Sequence, residues 1–420
     1  MTHPLLEIPE AYHRGQRLGI ASVCSAHPVV IEAALEMARD QGATVLIEAT
    51  CNQVNQDGGY TGMAPADFGR FVERICAKVD FERSKIVLGG DHLGPGPWKH
   101  LRSNEAMAKA KGMVRAYAEA GFAKLHLDTS MGCRNEPVAL VDRETAWRAA
   151  RLAAVAEEYK AGTDPIYVIG TEVPVPGGAT HSLEQLEITL PEAVVRTYEA
   201  HKSAFEALGL QDAFSRVVAL VVQPGVEFSH SDVTHFDPPK AQALSDVLES
   251  FPGIVFEAHS TDYQTAEGLR SLVDSGFAIL KVGPSLTFAL REALYALDAV
   301  ADILDGRPPV GTLMAVMDEV MRATPRNWRD YYAGTETEQW LQRHFSYSDR
   351  IRYYWPSPRA EKAVSRLRRR LNGARIPAPV SSQFLPGRGA AGSYDEYIKA
   401  AIQAVLHQYE RACSPDRLAP

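Results

Sequence analysis

Leu88-Gly89-Gly90-Asp91-His92 ends an apolar, β-rich run in an ionisable pair, and the same pattern recurs along the chain. Leu125-His126-Leu127-Asp128-Thr129-Ser130 repeats it, followed by Ile169-Gly170-Thr171-Glu172, Val221-Val222-Gln223-Pro224-Gly225 and Phe256-Glu257-Ala258-His259-Ser260-Thr261-Asp262. Scattered loops would not place polar clusters so regularly. A ring of parallel strands whose C-terminal ends line one pocket would, and that is how a (β/α)8 barrel builds an active site.

Working outward, β-branched apolar runs predict strands over 18–24, 44–50, 85–91, 123–128, 166–172, 217–223, 254–259 and 278–282. Most are apolar almost throughout, as expected of parallel strands buried on both faces. Helical periodicity fills the intervals 28–41, 104–120, 143–160, 191–207, 239–250 and 264–275. Pro28 sits at a first helical position, and Gly42 and Gly121 follow helix ends. The alternation indicates an α/β fold, a TIM barrel, with an open doubly wound sheet as the competitor. The loops 51–65, 93–103 and 173–191 are long and rich in Gly and Pro, which suits lids over a site.

Beyond residue 306 the rhythm stops. Helices are expected over 312–323, 336–344, 358–371 and 394–412, giving a barrel over 1–306 and a C-terminal helical extension over 307–420 packed on it. Ser365-Arg366-Leu367-Arg368-Arg369-Arg370-Leu371 is a basic face, read first as solvated and second as a contact for an acidic partner or ligand. Arg350-Ile351-Arg352-Tyr353-Tyr354-Trp355, dense in cations and aromatics, is a candidate cap for the barrel mouth, an interface, or simple packing.

Composition narrows the function classes. A net charge of −8 argues against nucleic acid or an anionic membrane as partner, while leaving room for a small phosphorylated sugar. Five cysteines without a CxxC pair read as reduced cytoplasmic thiols. The first ten residues lack the features of a signal peptide, and no apolar run approaches the roughly 20 residues of a membrane span. A cytoplasmic location is therefore expected.

The chemistry is expected at the strand ends. Asp91 and His92 pair a proton carrier with a metal-binding imidazole. His126 and Asp128 share one face of the fourth strand, and a polar pair there needs partners or a function. Glu172 ends the fifth strand. His92 and His259 make the best metal pair, with Glu172 a third ligand; the expected cofactor is a divalent metal, zinc first and manganese second. Ser285 and Thr287 follow Gly283-Pro284 at the start of the last barrel helix, where barrels often bind phosphate. No phosphate loop, GxGxxG fingerprint, HExxH or GxSxG motif occurs, so no nucleotide is expected.

The segments 20–28, 89–95, 126–131, 170–174 and 257–264 resemble the GatZ/KbaZ family, within the class II ketose-bisphosphate aldolase-like superfamily. The family is known as the non-catalytic subunit of D-tagatose-1,6-bisphosphate aldolase. The resemblance implies Asp91 as proton carrier, His92 and His259 as zinc ligands, and Asp128 and Glu172 as catalytic groups. Gln223 stands where the catalytic aldolases carry a third zinc His, and Ser260-Thr261-Asp262 replaces their Gly-Gly-Ser phosphate element. Gln223, Ser260 and Asp262 thus become substrate contacts. The function implied is an accessory aldolase subunit that retains a sugar and metal pocket. The alternative is a metal-dependent ketose 4-epimerase, of tagatose/fructose or tagaturonate type, working by retro-aldol and aldol steps. A tagatose-6-phosphate kinase has no nucleotide motif behind it. The expected partners are a ketose or ketose phosphate, a catalytic aldolase subunit, and a second copy of the chain.

Overall fold

The computed structural model describes residues 3–162, 164–170, 186–385 and 392–414. Eight parallel strands close into a barrel in sequence order: β1 Ile20–Val23, β2 Val45–Thr50, β3 Ile86–Leu93, β4 Lys124–Leu127, β5 Ile166–Gly170, β6 Val217–Val221, β7 Val255–Ala258 and β8 Phe277–Val282, with β8 pairing back onto β1. The barrel is the architecture expected, and the closed ring excludes the open sheet.

The barrel helices are α1 Pro28–Gln41, α2 Pro65–Val79, α3 Ser103–Glu119, α4 Asp142–Tyr159, α5 Pro191–Ala207, α6 Pro238–Asp246, α7 Ala266–Asp274 and α8 Pro284–Leu304. Helix α1 runs over the residues expected. His27 caps it through Nδ1, which accepts from the Val29 N–H at 3.3 Å, and Gly42 ends it in the left-handed region. Helix α2 is absent from the sequence-based expectation. Its signals were a Pro at the first position, an Asp67 carboxylate reaching back to the Ala64 N–H at 3.1 Å, and the apolar stripe Phe68, Val72, Ile75, Cys76 and Val79.

The lumen is filled in layers, as barrel interiors are. At the bottom, Leu46, Val87, Ile166, Val168, Val255 and Ile279 pack together, and Leu5 and Ile8 from the N-terminal segment plug that end. Toward the mouth, β2, β4, β7 and β8 contribute a charged layer, Glu48, Lys124, Glu257 and Lys281. Helices α9 Thr312–Ala323, α10 Glu336–Phe345, α11 Pro358–Leu371, α12 Ala378–Phe384 and α13 Tyr394–Cys413 follow the barrel. Helix α13 packs against α1, α7, α8 and β1. The Gly19 N–H donates to the Cys413 carbonyl at 2.9 Å.

The short helical turn Arg350–Tyr354 lies over the mouth. Asp349 anchors it: its carboxylate accepts from the Thr287 hydroxyl at 2.6 Å and from the Arg291 Nε at 3.3 Å, both on α8. The basic face of α11 is partly neutralised within the chain, Arg368 by Asp395 at 2.6 Å and Arg370 by Asp302 at 2.8 Å. Among the described residues no helix is long and apolar enough to cross a membrane.

Candidate active site

The charged layer is set by strand register. Glu48 on β2 lies level with Gly89 on β3, and Gly89 with Lys124 on β4. Because Gly89 has no side chain, Glu48 reaches across β3 to Lys124, with Nζ to Oε1 at 2.5 Å. A Cβ on Gly89 would lie 2.7 Å from Glu48 Cγ. Lys124 also meets Glu257 Oε2 on β7 at 2.7 Å. Lys281 on β8 contacts Glu48 and pairs with Asp91 Oδ1 at 2.8 Å. Glu48, Lys124 and Glu257 are fully buried. Charges so deep persist only when paired.

Above this layer stand three imidazoles and a carboxylate. His92, His126 and His259 have ring centres 4.9 to 5.3 Å apart. Asp91 Oδ1 lies 2.9 Å from His126 Nδ1. His126 Nε2 faces the Gly170 carbonyl at 3.0 Å, so that nitrogen carries a proton. His126 Nδ1 also receives the His92 backbone N–H at 3.2 Å. His92 Nδ1 is held by Asp128 Oδ2 at 2.9 Å, and His259 Nε2 by Glu257 Oε1 at 3.0 Å. His92 and Ser260 adopt positive φ angles, 51° and 52°, at the ends of β3 and β7. Such backbone costs on the order of 1–3 kcal/mol and gathers at functional sites.

The electrostatics divide the titratable groups. Burial pushes the Asp91 carboxyl up, but His92, Lys281 and His126 overcome this and hold it well below the usual range. Burial acts the same way on Asp128, and the His92 and His126 charges with the His92 and Ser130 hydrogen bonds reverse it to about 2. Burial lowers His92, yet Asp91 and Asp128 raise it above its ordinary value. His259 is pushed down to about 3, mainly by burial.

Donor atoms of Asp91, His92, His126 and His259 all lie within 4.8 Å of one another. His92 and His259 each have one ring nitrogen engaged by a carboxylate, the arrangement that orients metal-binding imidazoles. His92 and His259 therefore fit a divalent ion, while His126, on β4, stands behind them with both ring nitrogens already engaged.

A family model for D-tagatose-1,6-bisphosphate aldolase subunit GatZ/KbaZ-like proteins matches residues 5–414. The chain belongs to the GatZ/KbaZ-like family. It is 50% identical, over 426 aligned residues, to the D-tagatose 6-phosphate 4-epimerase of Agrobacterium fabrum (strain C58), covering 99% of this chain and 100% of that one. A crystal structure of a probable tagatose 6 phosphate kinase from Sinorhizobium meliloti 1021 matches with a TM-score of 0.88 at 57% identity, covering 94% of this chain and 100% of that one.

The GatZ/KbaZ-like barrel brings most of the expected site residues to one mouth. Asp91, His92, His259, Ser260 and Asp262 line a cavity of about 100 Å3, together with Lys281. Asp128 joins through His92. Glu172 lies outside the described residues. Gln223 is buried, and its Oε1 accepts from the Gly225 and Val226 N–H groups at 2.8 and 3.0 Å, shaping the turn after β6. Ser285 donates N–H and hydroxyl to Asp262 Oδ1 at 2.8 and 2.7 Å, and Gly283 N–H adds a third bond at 3.1 Å. Thr287 donates to Asp349. The helix start expected to take a phosphate thus holds the chain's own carboxylate.

Lys124, Glu48, Lys281 and Arg352 were not anticipated as site residues. A signal existed for three of them. Lys124 and Glu48 each lie two residues before a mouth residue, His126 and Thr50, and Lys281 two before Gly283, so alternation puts each pair on one face. A charge inside an otherwise apolar strand should be read as lumenal.

Proposed function

We propose that this chain is a ketose-phosphate 4-epimerase that interconverts D-tagatose 6-phosphate and D-fructose 6-phosphate by opening and remaking the C3–C4 bond. The observation that carries this reading is Asp91, a carboxylate kept ionised at the mouth with Lys281 at 2.8 Å and His126 at 2.9 Å. The relatives support the substrate class: the epimerase, the probable kinase and the aldolase family are all named for tagatose phosphates.

The C4 hydrogen of a 2-ketose is not adjacent to the carbonyl, so enolisation does not invert that centre. Cleavage of C3–C4 does. Asp91 removes the C4 hydroxyl proton and the C4–O bond becomes an aldehyde carbonyl. The C3–C4 electron pair forms C2=C3 and leaves negative charge on O2, where the Lys281 ammonium stabilises it. The aldehyde turns to present its other face, C3 attacks it, and the proton returns from Asp91 to the new C4 alkoxide. Asp128 and Glu257 hold His92 and His259 in fixed tautomers around the reacting carbons. A divalent ion, zinc before manganese, held by His92 and His259, would polarise the ketose carbonyl and leave Asp91 to carry the proton.

The test is direct. Purified protein, with and without added zinc or manganese, is incubated with D-tagatose 6-phosphate and fructose 6-phosphate is followed by 13C NMR. Exchange is expected, with Asp91→Asn slower by roughly 10³-fold. No exchange under any metal condition, with stimulation of a separate tagatose-bisphosphate aldolase by this chain, would return the accessory-subunit role that the family description favours.

A further inference from the structure

The cavity around Asp91, of about 100 Å3, does not stand alone. A second cavity of about 560 Å3 opens beside it, between the barrel mouth and α11 and α13. The two share Cys24, Gln53, Tyr60, Gly283 and Arg352 as walls, so a six-carbon sugar phosphate seated at Asp91 can extend past these residues.

Among the described residues, three Lys or Arg residues line the two cavities. Lys281 is committed to Asp91 and Glu48, and Arg368 to Asp395. Arg352 has no carboxylate within salt-bridge reach among the described residues. Its guanidinium is positioned instead by the carbonyls of Ser348 and Asp349 and by the Tyr353 hydroxyl, and it stacks 4.5 Å from the Tyr353 ring. A guanidinium has five N–H donors, and these bonds use three. A half-buried guanidinium with spare donors, in no ion pair among the described residues and forming a wall of both cavities, suits an acceptor-rich anion. The usual phosphate position at the start of α8 is filled by Asp262, which leaves this second place for it.

We propose that Arg352 is the phosphate anchor that makes this site select phosphorylated over free ketoses, an inference that rests on the ketose-phosphate reading above. The anchor belongs to the C-terminal extension, so the extension completes the substrate site that the strands begin.

The experiment measures binding, which survives even if turnover does not. Affinities for D-tagatose 6-phosphate, D-tagatose and inorganic phosphate are compared by calorimetry for the full chain, Arg352→Met and Arg352→Lys, with thermal melting as the folding control. Arg352→Met is expected to lose roughly 10- to 100-fold for the phosphorylated sugar and for phosphate, with free tagatose unchanged and Arg352→Lys in between. Equal losses for free and phosphorylated sugar would make Arg352 a structural residue and overturn the proposal. So would an unchanged affinity, or a wild-type protein that does not prefer the phosphorylated sugar. Failure of epimerisation with this selective binding intact would count against the reaction and not against the anchor.

Discussion

Replacing Lys124 by Met should be among the most costly single changes in this protein. Lys124 is fully buried between two fully buried carboxylates, Glu48 at 2.5 Å and Glu257 at 2.7 Å. In the folded barrel two ammonium groups, Lys124 and Lys281, balance these two acids, while Asp91 is balanced by Lys281 and the imidazoles around it. Methionine has similar length and volume, so little packing is lost. What remains is one carboxylate without a counter-ion, far from water. Breaking a buried pair in this way costs about 3–5 kcal/mol. For an unfolding slope of about 3–5 kcal/mol/M, the urea midpoint should fall by roughly 1 M. The second variant is the sharper test. Adding Glu257→Gln removes the stranded charge and keeps the hydrogen bond that positions His259, so the double variant should regain about 1–3 kcal/mol over the single one. The deficit of Lys124→Met should also narrow as pH falls, because protonation neutralises the stranded acid. Urea unfolding at pH 7 and pH 5, followed by tryptophan fluorescence, reads all of this. A single variant within about 1 kcal/mol of wild type, or a double variant no more stable than the single, would refute the charge-balance account.

Two further predictions come from backbone contact and from buried histidine. A Cβ on Gly94 would fall 1.6 Å from the Asp128 carbonyl oxygen, so Gly94→Ala must displace the segment that orients His92 through Asp128; a stability loss of about 1–3 kcal/mol is expected, with a larger proportional loss of epimerase turnover, and normal turnover would refute the tie. His201 is fully buried, pushed down to about 4 by burial, with Nδ1 donating to the Thr197 carbonyl at 2.7 Å. Its unfolded value of about 6.5 lies higher, so its contribution is whole above pH 6.5 and is lost as pH falls toward 4, by about 1.4 kcal/mol per pH unit. His3, His27 and His344 are lowered to about 4 in the same way, which should make unfolding midpoints drop steeply over this window; His201→Gln should flatten the slope by one proton, and an unchanged slope would count against the assignment.

The barrel was legible because its strands are short apolar runs, five of which end at a polar cluster, and a closed ring gathers those ends at one mouth; the alternation alone also suited an open sheet, which closure of β8 onto β1 rules out. Asp91, His92 and His259 were legible for the same reason, since strand ends are where barrels keep chemistry. Helix α2 was not, although Pro65 and Asp67 mark its start, because the Gly-rich stretch before it blurs where loop gives way to helix. Gly89 shows a subtler limit. As a sequence feature it weakens a strand; in the barrel it is the gap through which Glu48 reaches Lys124.

What local pattern cannot supply is pairing across the lumen or from the extension. Glu48, Lys124, Glu257 and Lys281 come from β2, β4, β7 and β8, and each alone reads as a misplaced charge. Only closure of the ring turns four misfits into two balanced pairs. Arg352 is the stronger case. It sits in a segment whose composition suits a cap, an interface or plain packing alike, and nothing adjacent in sequence separates these. The decision is made by Asp349, which ties the turn to Thr287 and Arg291 on α8 and so sets a guanidinium over the mouth. The strands can be read for the reacting end of the substrate. Its other end is received by residues that become neighbours of the strands only after the chain has folded back over the barrel.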